Sequence, residues 1–133
     1  MNESNQQKFR KKIVIVVIAL LVALIHFVKS GSYWGGPFAL FWNGYMFDVI
    51  VPLGFYFLLC ANEFSFLKYW FSKAAFVFIV AAGVEIAQYF GAHILGSTFD
   101  PVDFIMFGIG VIMAIIFDVI LFPRIFKFWR VKT

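Results

Sequence analysis

The sequence predicts an all-α fold: an integral membrane four-helix bundle with both termini on the cytoplasmic side. Three observations predict it. Of 133 residues, 63% are apolar, 22% aromatic and only 14% charged. With a mean hydropathy of +0.93, the chain has too little polar surface to wrap a soluble core. Its apolar residues fall into four runs separated by polar, glycine- or proline-bearing stretches. Its basic residues are distributed asymmetrically between the connections, as positive-inside topology demands.

Residues 1–12 are polar and carry Lys8, Arg10, Lys11 and Lys12; an apolar run follows, interrupted only by His26. The first span is placed at about 13–29. A basic start before an apolar run also describes a signal peptide, with Ser30-Gly31-Ser32 as small residues for cleavage. The run is long for a signal sequence, and Lys29 can snorkel at its end, so the segment is read as a retained helix. From Ser30 to Asn43 the chain is read as a loop rich in glycine and aromatics. Tyr33, Trp34, Trp42 and Tyr45 are expected as interfacial anchors. The second span is placed at 44–61, with Asp48 near its outer end and Pro52 inside it, where proline removes a backbone donor and predicts a kink. A loop from Asn62 to Lys73 leads to the third span at 74–93; the fourth runs from 101 to 122, followed by a basic tail. Of the eleven Lys and Arg, ten fall in the amino terminus, the second loop and the tail. Residues 1–133 therefore form a single transmembrane domain. The net charge of +4 is explained by a bilayer's cytoplasmic face, and no nucleic-acid partner is expected.

This topology places the polar residues in depth. Glu85 lies twelve residues beyond Lys73, about 18 Å along a helix and so past the middle of a core about 30 Å thick. His26, Asp48, Gln88, His93, Asp100 and Asp103 fall at the same outer end. Ionisable groups in lipid are costly, and they mark a function or a required polar contact. In the third span Ala81, Glu85, Gln88 and Ala92 share one helical face; in the fourth, Asp103, Phe107, Gly110, Ala114 and Asp118 do the same. The two stripes are expected to face each other, bringing Glu85 and Gln88 towards Asp103.

Structural roles compete with functional ones. Asp100-Pro101-Val102-Asp103 has the form of a helix start, with an Asp cap, proline in the first turn and an acid at the third position. Asp118 is expected to pair with Arg124 or another basic residue. For Glu85, which needs a buried partner, the nearest cation by this topology is Lys29. The histidines lack metal-ligand spacing, and no phosphate loop, haem or zinc motif is present, so neither a cofactor nor a metal site is predicted. The single cysteine, Cys60, is read as a core thiol.

Glu85-x-x-Gln88, followed by Ile94-Leu-Gly96-Ser-Thr-Phe99-Asp100-Pro-Val-Asp103 and Gly110, resembles the VanZ-like superfamily of small bacterial membrane proteins, particularly its uncharacterised DUF2809 branch. The resemblance covers roughly the carboxyl-terminal third; the first half matches in hydropathy alone. Where VanZ-like members carry an arginine before the acidic pair and an asparagine further on, this chain has Ser97 and Phe107. The resemblance implies a bacterial cytoplasmic membrane location and a link to resistance against glycopeptide antibiotics, without an agreed molecular activity.

Two functional readings follow. In the first, a non-enzymatic envelope protein uses Glu85, Gln88, Asp103, Asp100, Asp48, His26 and His93 to bind a lipid head group, a cell-wall precursor or a cation. In the second, the chain is an accessory subunit of a larger membrane complex, or self-associates, and buries its polar layer against a partner. An enzyme ranks third: paired carboxylates can supply general acid and base, but no triad-like set of nucleophile, base and orienting group is present.

Overall fold

The computed structural model describes residues 3–29, 36–62, 64–92 and 99–131. Among these, every regular element is helical. The order is α1 (Glu3–Lys29), α2 (Pro37–Gly44), α3 (Met46–Ala61), a 3-10 turn (Ser65–Leu67), α4 (Trp70–Tyr89), α5 (Pro101–Ile115), a π-helical stretch (Ile116–Leu121) and α6 (Phe122–Ile125). Among the described residues two helical runs, Trp70–Tyr89 and Pro101–Ile125, are long and apolar enough to cross a membrane; a third counts if α2 and α3 form one bent span. Large apolar side chains such as Leu20, Leu24, Ile79, Ile105 and Ile112 point outwards. In lipid that arrangement has no cost, and it fits a membrane protein.

Several boundaries differ from the sequence expectation, each for a local reason. α1 begins at Glu3, well before its apolar run, because the polar residues ahead of that run are compatible with helix and continue it. The segment read as a loop contains α2. Gly36 takes a positive φ of 91°, and Pro37 opens the helix in its first turn, where the fixed proline φ suits helix and no N–H is lost. α2 and α3 meet at Tyr45 with a bend of 42°. α3 is helical through Pro52, so the break in direction sits at Tyr45. The cost of Pro52 is local: it has no N–H to offer the carbonyl of Asp48, four residues back.

α3 is the central helix, packing against α1, α2, α4 and α5. Its contact with α1 closes at Gly54, where a Cβ would lie 3.2 Å from a Val22 methyl. Its contact with α5 is closer still: a Cβ on Gly110 would overlap the Val49 carbonyl. Small residues permit such backbone approach, and in lipid that approach supplies much of the packing energy. The stripe Phe107, Gly110, Ala114 and Asp118 is buried as its spacing implies, but at Gly110 and Asp118 it closes on α3. The expected face-to-face register with the α4 stripe is thus only partly realised: α4 also packs on α5, yet the glycine closes on Val49, because a backbone carbonyl can come close only where the facing residue has no side chain.

The core runs from Ile15 of α1 through Tyr56, Phe57, Leu59 and Cys60 of α3 to Val77, Val111, Ala114 and Trp129. An aromatic cluster lies at one end. Trp129 meets Phe122 edge-on at 4.9 Å and Phe57 at 6.3 Å, arrangements worth about 0.5–1.5 kcal/mol each beyond burial.

Gly110→Ala is expected to destabilise the protein by at least about 1–3 kcal/mol through overpacking against fixed backbone. Gly83→Ala, where an added Cβ meets nothing within 4 Å, is expected to be neutral or to stabilise by up to about 1 kcal/mol. Denaturant unfolding of the purified protein compares the two.

Candidate functional site

Polar side chains gather at both ends of the helix packing. The acidic end is the one singled out by the sequence. Glu85, on the last turns of α4, is 2% exposed. Its Oε1 accepts the backbone N–H of Asp100 at 2.7 Å. Asp100 in turn caps α5: Oδ1 accepts the N–H of Val102 at 2.9 Å, and the backbone N–H of Asp103 donates to its carbonyl at 3.0 Å. Tyr45, at the α2–α3 bend, donates its hydroxyl to Asp100 Oδ2 at 3.2 Å. One helix start therefore holds α4 through Glu85 and α3 through Tyr45. The partner of Glu85 is a peptide N–H. The Lys29 side chain lies outside the described residues.

Asp103 follows in the first turn of α5, half-buried, within the electrostatic range of Asp48, Glu85 and Asp100. Asp48 occupies the first turn of α3, where its charge suits the free N–H groups of that turn. The structure thus brings Asp48, Glu85, Asp100 and Asp103 into one layer with Tyr45. Gln88 lies one turn beyond Glu85 on α4 and is half-buried. The His26 side chain and His93, together with Tyr33, Trp34 and residues 94–98 of the family-like segment, lie outside the described residues. Among the described residues, no group of three or more His, Cys, Asp or Glu side chains converges as a metal-ligand set. The carboxylates are instead spread over the starts of two helices and the end of a third.

The second polar group was not anticipated. Asp118 is 1% exposed and sits in the π-helical stretch. Its Oδ2 accepts the Tyr56 hydroxyl at 2.7 Å and its Oδ1 accepts the Trp129 indole N–H at 2.7 Å. The Cys60 thiol lies 3.9 Å from Oδ2 as a weak donor. The expected pairing with Arg124 is not formed. Arg124 is exposed, and both oxygens of Asp118 are taken by donors inside the packing, which satisfies the carboxylate without bringing in a second ion to be desolvated. The π geometry has a sequence cause in Pro123. Proline cannot donate to the carbonyl four residues back and collides with it, and the preceding turn widens instead. The Phe122 N–H reaches the Phe117 carbonyl, five residues back.

Around Asp118 lies a cavity of about 480 Å³. Its walls come from the first turns of α1, the end of α3, the 3-10 turn, the start of α4 and the segment after α6. Lys11 sits at its edge, with Nζ 4.7 Å from the Trp129 ring centre. Tyr45, Tyr56 and Trp129 are thus site residues that sequence reasoning assigned elsewhere or passed over. The available signal was an isolated carboxylate in an apolar helix, which requires donors from another element.

No family model, no curated protein and no solved structure matches the chain.

Asp118→Leu is expected to cost about 2–6 kcal/mol, from roughly 1–3 for each of the two donors left unpaired in the interior. Arg124→Ala is expected to change stability by less than about 0.5 kcal/mol. Unfolding followed by tryptophan fluorescence separates these outcomes. Equal effects of the two substitutions would restore the Asp118–Arg124 pairing.

Proposed function

We propose that this chain is a non-enzymatic, four-span protein of the bacterial cytoplasmic membrane, with both termini cytoplasmic, whose acidic end binds an amine-bearing lipid head group or cell-wall precursor from the outer side. The observation that carries the reading is the layer built on the start of α5. Glu85 and Tyr45 fix Asp100, while Asp103 and Asp48, both half-buried, add further negative charge beside it. Three helices are spent on holding one acidic patch. Among the described residues the carboxylates are spread over three helix ends and do not form a metal-ligand set, an arrangement that suits an extended ammonium- or amide-bearing group.

The resemblance to VanZ-like proteins supports an envelope role, since the acidic segment at the start of α5 is where it is densest. The asymmetry of Lys and Arg supports the orientation, and the polar chain start of α1 supports a first span inside that helix. A second reading, an accessory subunit of a larger membrane complex, draws on the exposed aromatics beside the acids. Tyr89, Phe90 and Phe99 are exposed, and Tyr89 meets the other two edge-to-face at 5.2–5.3 Å. A partner could cover them, as could the interfacial zone of the bilayer, where such rings are enriched.

Native mass spectrometry after gentle extraction tests the proposal on wild type, Asp103→Asn and Glu85→Gln, the last of which retains an acceptor oxygen for the Asp100 N–H. A bound amine lipid or precursor in wild type that is lost in Asp103→Asn is the expected result. Retention by both variants would overturn the ligand reading, and a co-purifying protein lost in the same variants would favour the subunit.

A further inference from the structure

Among the described residues, the walls of the cavity at the basic end carry more cations than acids. Six cations line it: Lys8, Lys11, Lys12, Lys68, Lys73 and Arg130. Asp118 is the carboxylate in the wall, and its oxygens are committed to Tyr56 and Trp129. Most of these cations reach solvent, as basic side chains at a membrane edge ordinarily do. Lys73 is the most enclosed of them: it is 8% exposed and lines the cavity. Among the described residues no acidic side chain forms an ion pair with it.

The position of Lys73 deepens the imbalance. It lies in the first turn of α4, a helix with no side-chain cap and no acidic residue in that turn. The free N–H groups and the helix dipole make that end positive already, so a buried lysine there adds like charge to like. The observations agree: a cavity of about 480 Å³, within the size range of small-ligand sites, is walled by cations, includes a largely enclosed lysine and adjoins a helix start of the kind that binds phosphate elsewhere.

We propose that this cavity is a binding site for a phosphate group, presented by an anionic phospholipid head or by a soluble phosphate compound. Lys73, the most enclosed of the lining cations, supplies one charge in its wall. Lys11, steadied over the Trp129 ring by a cation–π contact, supplies a second charge at its edge. Asp118 contributes indirectly, by holding Trp129 beneath Lys11. The volume leaves room for the polar group to which the phosphate is esterified. This site is independent of the acidic layer at the opposite end and stands or falls without it.

The test is native mass spectrometry of the full chain in mild detergent, titrated with dioleoylphosphatidylglycerol alone and in the presence of inorganic phosphate, with dioleoylglycerol, which has the same chains and no phosphate, and with inorganic phosphate alone. A one-to-one adduct that requires phosphate is expected. Lys73→Met and Lys11→Gln should each weaken it, Lys73→Met at least about tenfold, while Arg124→Gln, outside the cavity, should leave it unchanged. Binding of the phospholipid without competition from inorganic phosphate identifies a membrane head group as the source; competition identifies a soluble phosphate. Equal binding of dioleoylglycerol, or variants of Lys73 and Lys11 that behave like Arg124→Gln, would overturn the proposal. Should Lys73→Met fail to fold, Lys11→Gln decides the outcome alone.

Discussion

A carboxylate buried in an apolar helix bundle must be given donors by neighbouring elements, and much of the basic end depends on how Asp118 meets that requirement. Its two oxygens draw Tyr56 from α3 and Trp129 from the segment after α6 into one contact. That contact carries the chain back from the end of α6 to the core, where Trp129 packs among Phe57 and Phe122. It also places the tryptophan ring under Lys11, so the indole links the amino-terminal helix to the carboxyl-terminal segment. The π-helical turn forced by Pro123 falls on the same residues, and widened turns of this kind recur at functional sites.

The acidic end applies the same rule with different chemistry. Glu85 is satisfied by a peptide N–H at the start of α5, so its charge faces the positive end of a helix dipole. Asp100 caps that helix and also receives Tyr45. Between the two polar ends, α3 and α5 approach to backbone contact at Gly110 and Val49. The apolar middle is close-packed and the chemistry is confined to the ends. A protein of this size has little interior to spare, and its polar groups gather where helices begin and end.

The helical class and the apolar runs were legible because hydropathy is a local property of the chain, and so was the Asp100 cap, whose signature occupies four consecutive residues. What was not legible depends on pairing between distant segments. Tyr45 had the composition of an interfacial anchor, and only its meeting with Asp100, fifty-five residues away, gives it another role. The stripe through Gly110 announced a close helix contact without naming the partner, since a single helical face does not say which neighbour will press a carbonyl against it. α2 was masked by Gly-Gly-Pro, a turn signal that also opens helices. Trp129 sat in a tail read for its charge, where one aromatic among basic residues carries no pattern. Lys73 was counted with the topology-setting lysines, and nothing in its neighbours foretold burial.

The claim on which this account rests is that buried polar contacts between helices, with Asp118 foremost, are specific interactions that hold the fold. A double-mutant cycle on Tyr56→Phe and Asp118→Asn, read as unfolding free energies of the purified protein, tests it most directly. A coupling of about 1.5–3 kcal/mol is predicted for a hydrogen bond to a buried charged group. Effects that add to within about 0.5 kcal/mol would show the two side chains acting independently, and would contradict the account.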